Sequence, residues 1–225
     1  MPHPMGRILG VIFDMDGTLT LPGAIDFAAM RSRVGAPRGV DVLEHIATHE
    51  DADERARLHS ILEDEEETGF RRQELMPDAR TALDALVLRG LRLAVLTRNN
   101  ENVMARTLAM LERPGMFSPT LSRSFLPSKP HPAPIHHICG VWSCSPQDVV
   151  IVGDSRDDVL CGRAAGVRTV IVGEPGQHGH DEAAALADAG VRTLTDAIAL
   201  LEVWGLGPLG HDLAPPVEAR DCHAS

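Results

Sequence analysis

Short, uninterrupted apolar runs alternate along the chain with longer stretches in which apolar positions recur at helical spacing. Residues 8–13 (ILGVIF) form the first run, which halts at Asp14-Met15-Asp16-Gly17. Residues 91–96 halt at Thr97-Arg98-Asn99, residues 149–152 at Gly153-Asp154-Ser155, and residues 167–172 at Gly173-Glu174-Pro175. Runs this short, this apolar and this rich in β-branched residues predict strands buried on both faces, as in a parallel sheet. Residues 119–122 are a weaker strand candidate. Helical spacing is clear over residues 78–88, where Ala79, Ala82, Leu83, Leu86 and Val87 share one side, with Pro77 before and Gly90 after. Residues 102–111 follow Asn99 and Asn100, either of which suits an N-cap. Further helices are predicted over residues 132–139, 157–165 (closed by Gly166), 181–189 and 195–203. Strands and helices alternating at these lengths imply βαβ units, hence an α/β fold with a doubly wound, Rossmann-like parallel sheet.

Residues 21–76 break that alternation. They hold no strand candidate, but they do hold amphipathic stretches, notably residues 53–75 with the acidic run 63–67 (EDEEE). Such a run reads as a solvated helix face. The pattern predicts a core of residues 1–20 and 77–204 with a small α-helical insert, residues 21–76, after the first strand. Residues 205–225 carry three prolines, three glycines and little periodicity, which predicts a poorly ordered tail.

A length of 225 residues with 44% hydrophobic positions supports one sizeable core, with or without a small module. The net charge of −11, with no basic stripe, argues against a nucleic-acid partner. A protein this acidic acting on an anion needs a local cation. The four cysteines form no C-x-x-C pair and read as reduced thiols. Residues 1–6 lack the apolar core of a secretory signal, and no run approaches the roughly 20 apolar residues of a membrane span. The expected setting is soluble and cytoplasmic or organellar, without a membrane partner. Oligomeric state is not legible.

Ligands gather outside the carboxyl ends of the strands of an open parallel sheet, so the residues that follow each run are the ones to inspect. Asp14 and Asp16 follow the first strand and Thr97 the second. Lys129 follows the third strand region, and Asp154 and Asp158 follow the fourth. Converging carboxylates repel one another and are expensive to leave unpaired. Mg2+, a hard cation that prefers oxygen ligands, resolves that crowding and supplies the local positive charge. A carboxylate can attack phosphorus to form an aspartyl-phosphate. Transfer then rests on positioning and on neutralising the phosphoryl oxygens, for which Lys129 and the Thr97 hydroxyl are suitable donors. Asp16 suits a general acid and base, given a raised pKa, and Gly17 permits a sharp turn beside it.

The stretch Asp14-Met15-Asp16-Gly17-Thr18-Leu19-Thr20 is similar to the first motif of the haloacid dehalogenase-like hydrolase superfamily. Thr97 sits where the second motif has Ser or Thr, and Lys129 sits at the third. Gly153-Asp154-Ser155-Arg156-Asp157-Asp158 resembles the fourth, G-D-x-x-x-D. All four follow strands in the right order across residues 8–173. The resemblance implies Asp14 as nucleophile, and Asp14, the Asp16 backbone carbonyl and Asp154 as Mg2+ ligands. Asp158 would support them directly behind or through a water. Backbone amides near Asp16 and Arg98 would help hold phosphate. The insert matches the small helical cap of the phosphoglycolate phosphatase-like branch, which closes over the site and selects the substrate.

Arg31, Arg33 and Arg38 of the insert could grip the substrate's distal end, or form a solvated face. Arg98 and Asn99 lie on a strand-end loop and are substrate-binding candidates. Asp158 could instead cap the following helix, and Asp157 reads as a helix-start acid favoured by the dipole. His131, His136, His137, His178 and His180 match no zinc spacing and read as surface or packing residues. The expected activity is Mg2+-dependent hydrolysis of a small phosphorylated metabolite. A phosphosugar mutase of the β-phosphoglucomutase type would share these motifs. A metal-free dehalogenase would lack the acid at Asp16, and a non-enzymatic module on the same fold would not need the set.

Overall fold

The computed structural model describes residues 7–177 and 180–206. Its strands are β1 (Gly10–Phe13), β2 (Arg92–Leu96), β3 (Phe117–Leu121), β4 (Val149–Gly153), β5 (Arg168–Val172) and β6 (Ala189–Val191). They form one sheet in the order β3-β2-β1-β4-β5-β6, with every pairing parallel. The first three helices, α1 (Phe27–Val34), α2 (Val42–Ala47) and α3 (Ala52–Phe70), follow β1. Then come α4 (Ala79–Leu88), α5 (Glu101–Met110), α6 (Ala133–Trp142), α7 (Arg156–Ala165), α8 (His180–Leu186) and α9 (Leu194–Val203).

Successive side chains of a strand point to opposite faces, so each strand feeds two cores. Val11, Phe13, Leu93, Val95, Val150 and Val152 pack on one face with Leu83 and Leu86 of α4 and Leu201 of α9. Ile12, Ala94, Leu96 and Ile151 pack on the other with Ile135 and Ile138 of α6 and Cys161 of α7. Coverage of both faces is why β1, β4 and all of β2 after Arg92 are apolar. A Cβ at Gly10 would lie 2.3 Å from the Trp142 ring, so that glycine lets α6 close onto β1.

The expected doubly wound sheet is present, and the weak candidate at residues 119–122 is the edge strand β3. One of the expected helices is shorter than its pattern. The helix predicted over residues 181–189 ends at Leu186, and Ala189 opens the sixth strand. That strand has three residues and pairs only with β5, too short to show an alternation. The tail expectation falls mainly on residues 207–225, outside the described residues. Leu206 is described, and it bridges to Ile8. No helix among the described residues is long and apolar enough to cross a membrane.

Helices α1 to α3 bury a core of their own, including Met30, Val34, Ile46, Leu58 and Leu62. Their starts are fixed by the Asp26, Asp41 and Asp51 carboxylates, which accept backbone N–H groups of the first turns. The two chain ends of this segment meet at the sheet. Thr20 bridges Leu75, the Leu21 N–H donates to Glu74 O at 2.8 Å, and the Met76 N–H donates to Leu19 O at 2.9 Å. The acidic run is not a uniformly solvated face. Glu65 and Glu66 are buried, Glu65 against Arg33, and Glu66 against Arg123 and Asn100. Helix α3 turns Glu66 toward α5 and the loop after β3, and Glu65 toward α1, instead of toward water.

Candidate active site

β1 is the strand at which the sheet order reverses, and Asp14 follows it directly. The Asp14 N–H donates to Val152 O at 2.9 Å, which extends the β1–β4 ladder and sets Asp14 beside the β4 end. Lys129, the only lysine in the sequence, is buried to 4% exposure. Its Nζ donates to Asp14 Oδ1 at 2.5 Å and to Asp158 Oδ1 at 2.6 Å. The second oxygen of Asp158 accepts from the Ser155 N–H at 3.1 Å and the Ser155 hydroxyl at 2.6 Å, in the capping box of α7. The capping reading of Asp158 is thus met by one oxygen, while the other is bonded to Lys129.

Asp154 completes the cluster. Carboxylate oxygens of Asp14, Asp154 and Asp158 lie within 4.8 Å of one another. Two glycines make the room. A Cβ at Gly17, whose φ is +75°, would lie 2.0 Å from Asp154 Oδ2, and one at Gly153 would lie 2.3 Å from Asp158 Oδ2. Burial, and then the neighbouring Asp158 and Asp154 charges, raise the Asp14 pKa well above the usual carboxylate range against the pull of Lys129. Burial and the Asp158 charge push Asp154 up to about 7. Burial alone would lower the Lys129 pKa, but Asp14 and Asp158 outweigh it and raise it, so Lys129 stays charged. Three crowded carboxylates against one ammonium, with oxygen-only donors, are a set that fits a hard divalent cation.

Asp16 stands apart from that cluster. Gln73 Nε2 donates to its Oδ1 at 2.9 Å, and Asn99 Nδ2 donates to its Oδ2. Gln73 is itself oriented by the Thr107 hydroxyl, which donates to its Oε1 at 2.6 Å. Burial raises the Asp16 pKa, and the two amides partly oppose it. Thr97 is buried at the end of β2, and its hydroxyl accepts the Asn99 N–H at 3.2 Å.

A cavity of about 480 Å3 opens from these groups toward α1 to α3. Asp14, Asp16, Thr97, Arg98, Asn99, Lys129 and Asp154 all reach its wall. Arg98 is not free in it, because its guanidinium is shared by Asp41 of the α2 N-terminus and Asp157 of α7. Asp157 thus does more than start a helix. Of the insert arginines, Arg31 lines the cavity, Arg33 is held by Asp64 and Glu65 outside it, and Arg38 is exposed and does not line it. Gln73, Glu66 and Asp41 follow no strand and were not among the expected site residues; their placement depends on how the insert folds against the core. His180 is buried, consistent with packing, and His178 lies outside the described residues.

Residues 8–166 match the family model of the haloacid dehalogenase-like hydrolases. A haloacid dehalogenase-like hydrolase domain-containing protein of Arabidopsis thaliana is 37% identical over 188 residues, 78% of this chain and 75% of the relative. A phosphoglycolate phosphatase of Chromobacterium violaceum is 30% identical over 222 residues, 87% of this chain and 97% of the relative. Among solved structures, a predicted phosphoglycolate phosphatase of Haemophilus somnus superposes with a TM-score of 0.66 at 22% identity, covering 88% of this chain and 99% of its own. That likeness is one of fold. With four motifs at four strand ends and a family match over most of the sheet, the chain belongs to the haloacid dehalogenase-like hydrolase family.

Proposed function

We propose that this protein is a Mg2+-dependent phosphatase that hydrolyses a small phosphorylated metabolite through an aspartyl-phosphate on Asp14. The observation that carries the reading is the meeting of Asp14, Lys129 and Asp154 at the floor of one cavity, with Asp16 beside them and Asp158 buried behind Lys129. Relatives named phosphoglycolate phosphatase support the same class of chemistry.

An Asp14 carboxylate oxygen attacks phosphorus while the ester P–O bond breaks. Asp16, its pKa raised by burial, delivers a proton to the leaving alcohol. Asp16 then takes a proton from the water that cleaves the aspartyl-phosphate, which restores Asp14 and releases phosphate. Gln73 and Asn99 hold Asp16 in place. Lys129 positions Asp14 and offsets phosphoryl charge, helped by the Thr97 hydroxyl and by backbone amides near Asp16 and Arg98. Asp14, the Asp16 carbonyl and Asp154 would hold Mg2+, with Asp158 in support. Mg2+ supplies charge neutralisation at the phosphoryl oxygens. Residues 21–76 act as a cap over the core of residues 1–20 and 77–204, excluding water from the cavity they help to line.

The test is phosphate release from phosphorylated metabolites, with and without Mg2+, by the wild type and Asp14→Asn. Mg2+-dependent release that falls by about three orders of magnitude or more in Asp14→Asn is the expected result. Near-normal rates in that variant would remove the nucleophile. Isomerised sugar phosphate in place of free phosphate would replace the phosphatase with a mutase.

A further inference from the structure

The far wall of the active-site cavity is apolar. Ile25 and Met30 come from the start of the insert and α1, Val42 and Leu43 from α2, and Leu62 from α3. Phe27, the first residue of α1, also lines the cavity although it is 62% exposed. It is the one exposed phenylalanine of the five in the chain. Folding does not cover this ring, whereas a bound apolar group would.

The charges around the same wall cancel. Arg98 is held between Asp41 and Asp157, and Glu66 is paired with Arg123. Arg31 spends its Nη1 on Pro37 O and Val40 O. Arg31 and Arg156 are the remaining cations on the wall, and the wall also carries Glu182. Counted together, Arg31, Arg98, Arg123 and Arg156 face Asp41, Glu66, Asp157 and Glu182, so beyond the phosphoryl cradle the wall carries no net positive charge. The volume, about 480 Å3, lies within the roughly 300–1,000 Å3 of small-molecule sites and exceeds what phosphate plus a two-carbon acid would fill.

Resting on the phosphatase reading above, we infer that the substrate is a phosphate monoester of an uncharged, largely apolar alcohol, with Phe27 and Leu43 setting that specificity. The chemistry is unchanged: the ester P–O bond breaks, the Asp14–phosphorus bond forms, and the apolar alcohol leaves with the Asp16 proton. The carboxylated two-carbon ester named in several relatives would leave the apolar wall unfilled and set its carboxylate against a wall with no net positive charge.

The test compares kcat/KM of the full chain with Mg2+ on 2-phenylethyl phosphate, phosphoglycolate and acetyl phosphate. The first two are both primary alkyl esters, so leaving-group chemistry does not decide the comparison. The expected preference for 2-phenylethyl phosphate over phosphoglycolate is about 10- to 200-fold, the discrimination hydrophobic contacts provide. Phe27→Ala and Leu43→Ala should each shrink that ratio, by about tenfold for Phe27. The exposure of Phe27 means that the first variant keeps its fold. Equal or better turnover of phosphoglycolate, abolished by Asp14→Asn, would overturn this inference and leave the phosphatase reading standing. A ratio unmoved by both variants would overturn the role of Phe27 and Leu43. No release from any of the three compounds would overturn the phosphatase reading and this inference with it.

Discussion

Replacing Lys129 by Met isolates the electrostatics of the site, because it removes the ammonium while keeping a long, flexible side chain. In the wild type that ammonium is the cation bonded to both Asp14 and Asp158. Removing one partner of a buried ion pair destabilises a protein by about 3–5 kcal/mol, since the other charge stays buried and unpaired. In a chain of this size each kcal/mol shifts Tm by about 2–4 °C, so Tm should fall by about 6–20 °C in EDTA near pH 8. The sign of the pH dependence follows from burial. Asp14 and Asp154, the latter at about 7, are already pushed up, and without Lys129 they rise further. Acids with raised pKa values lose stability as pH rises through those values, so the deficit should widen from about pH 5 to about pH 8. On the proposed reading, Mg2+ would bind only the folded cluster and should restore part of the loss, about 2.7 kcal/mol at a hundredfold excess over its Kd. Thermal unfolding of both proteins across that pH range, with EDTA or Mg2+, measures all three effects. A variant within about 2 °C of wild type at pH 8 in EDTA, or a deficit independent of pH, would refute the picture of charged carboxylates held by one lysine.

Gly17→Ala drives a Cβ into Asp154 Oδ2 at a backbone φ of +75°, so a Mg2+ titration of activity should shift to higher concentration by about tenfold or more. An unshifted titration would mean that Asp154 holds no metal. Gln73→Leu removes one of the two amides on Asp16 and should lower kcat by about tenfold with a smaller change in KM. A change in KM alone would assign Gln73 to substrate binding. Burial opposes the ionised form of Asp41, but the Arg98 hydrogen bond and charge outweigh it and hold the pKa below 3.8. Its contribution is present above 3.8 and is lost as pH falls through the depressed value, so Asp41→Asn should flatten the acid limb of a stability profile. Asn keeps the N-cap of α2, which leaves charge as the variable, and an acid limb identical to wild type would remove the Asp41–Arg98 tie as its source.

The parallel sheet was legible because strands buried on both faces spell themselves as apolar runs, and because each run ends on a chemical group. That pairing located Asp14, Thr97, Lys129 and Asp154 from the sequence alone. β6 escaped it because three residues at a sheet edge carry no period. Gln73 escaped for a different reason. It lies on the chain's return from α3, where only the meeting of Thr20 with Leu75 brings it to Asp16. Glu66 read as solvent-facing because a run of five acids gives no hint which one rotates inward. Only the packing of α3 beside Arg123 and Asn100 selects it. The apolar wall was hidden in the same way, since Phe27, Leu43 and Leu62 come from three helices and converge only after folding.

The single lysine also has a practical consequence for labelling. Apart from the chain's α-amino group, an amine-directed reagent has one target in this protein, and that target is buried and held charged by two carboxylates. Surface acylation, lysine crosslinking and attachment through surface amines therefore have no side chain to act on. The rate at which Lys129 becomes modifiable instead reads the opening of the cavity floor, without any engineered probe.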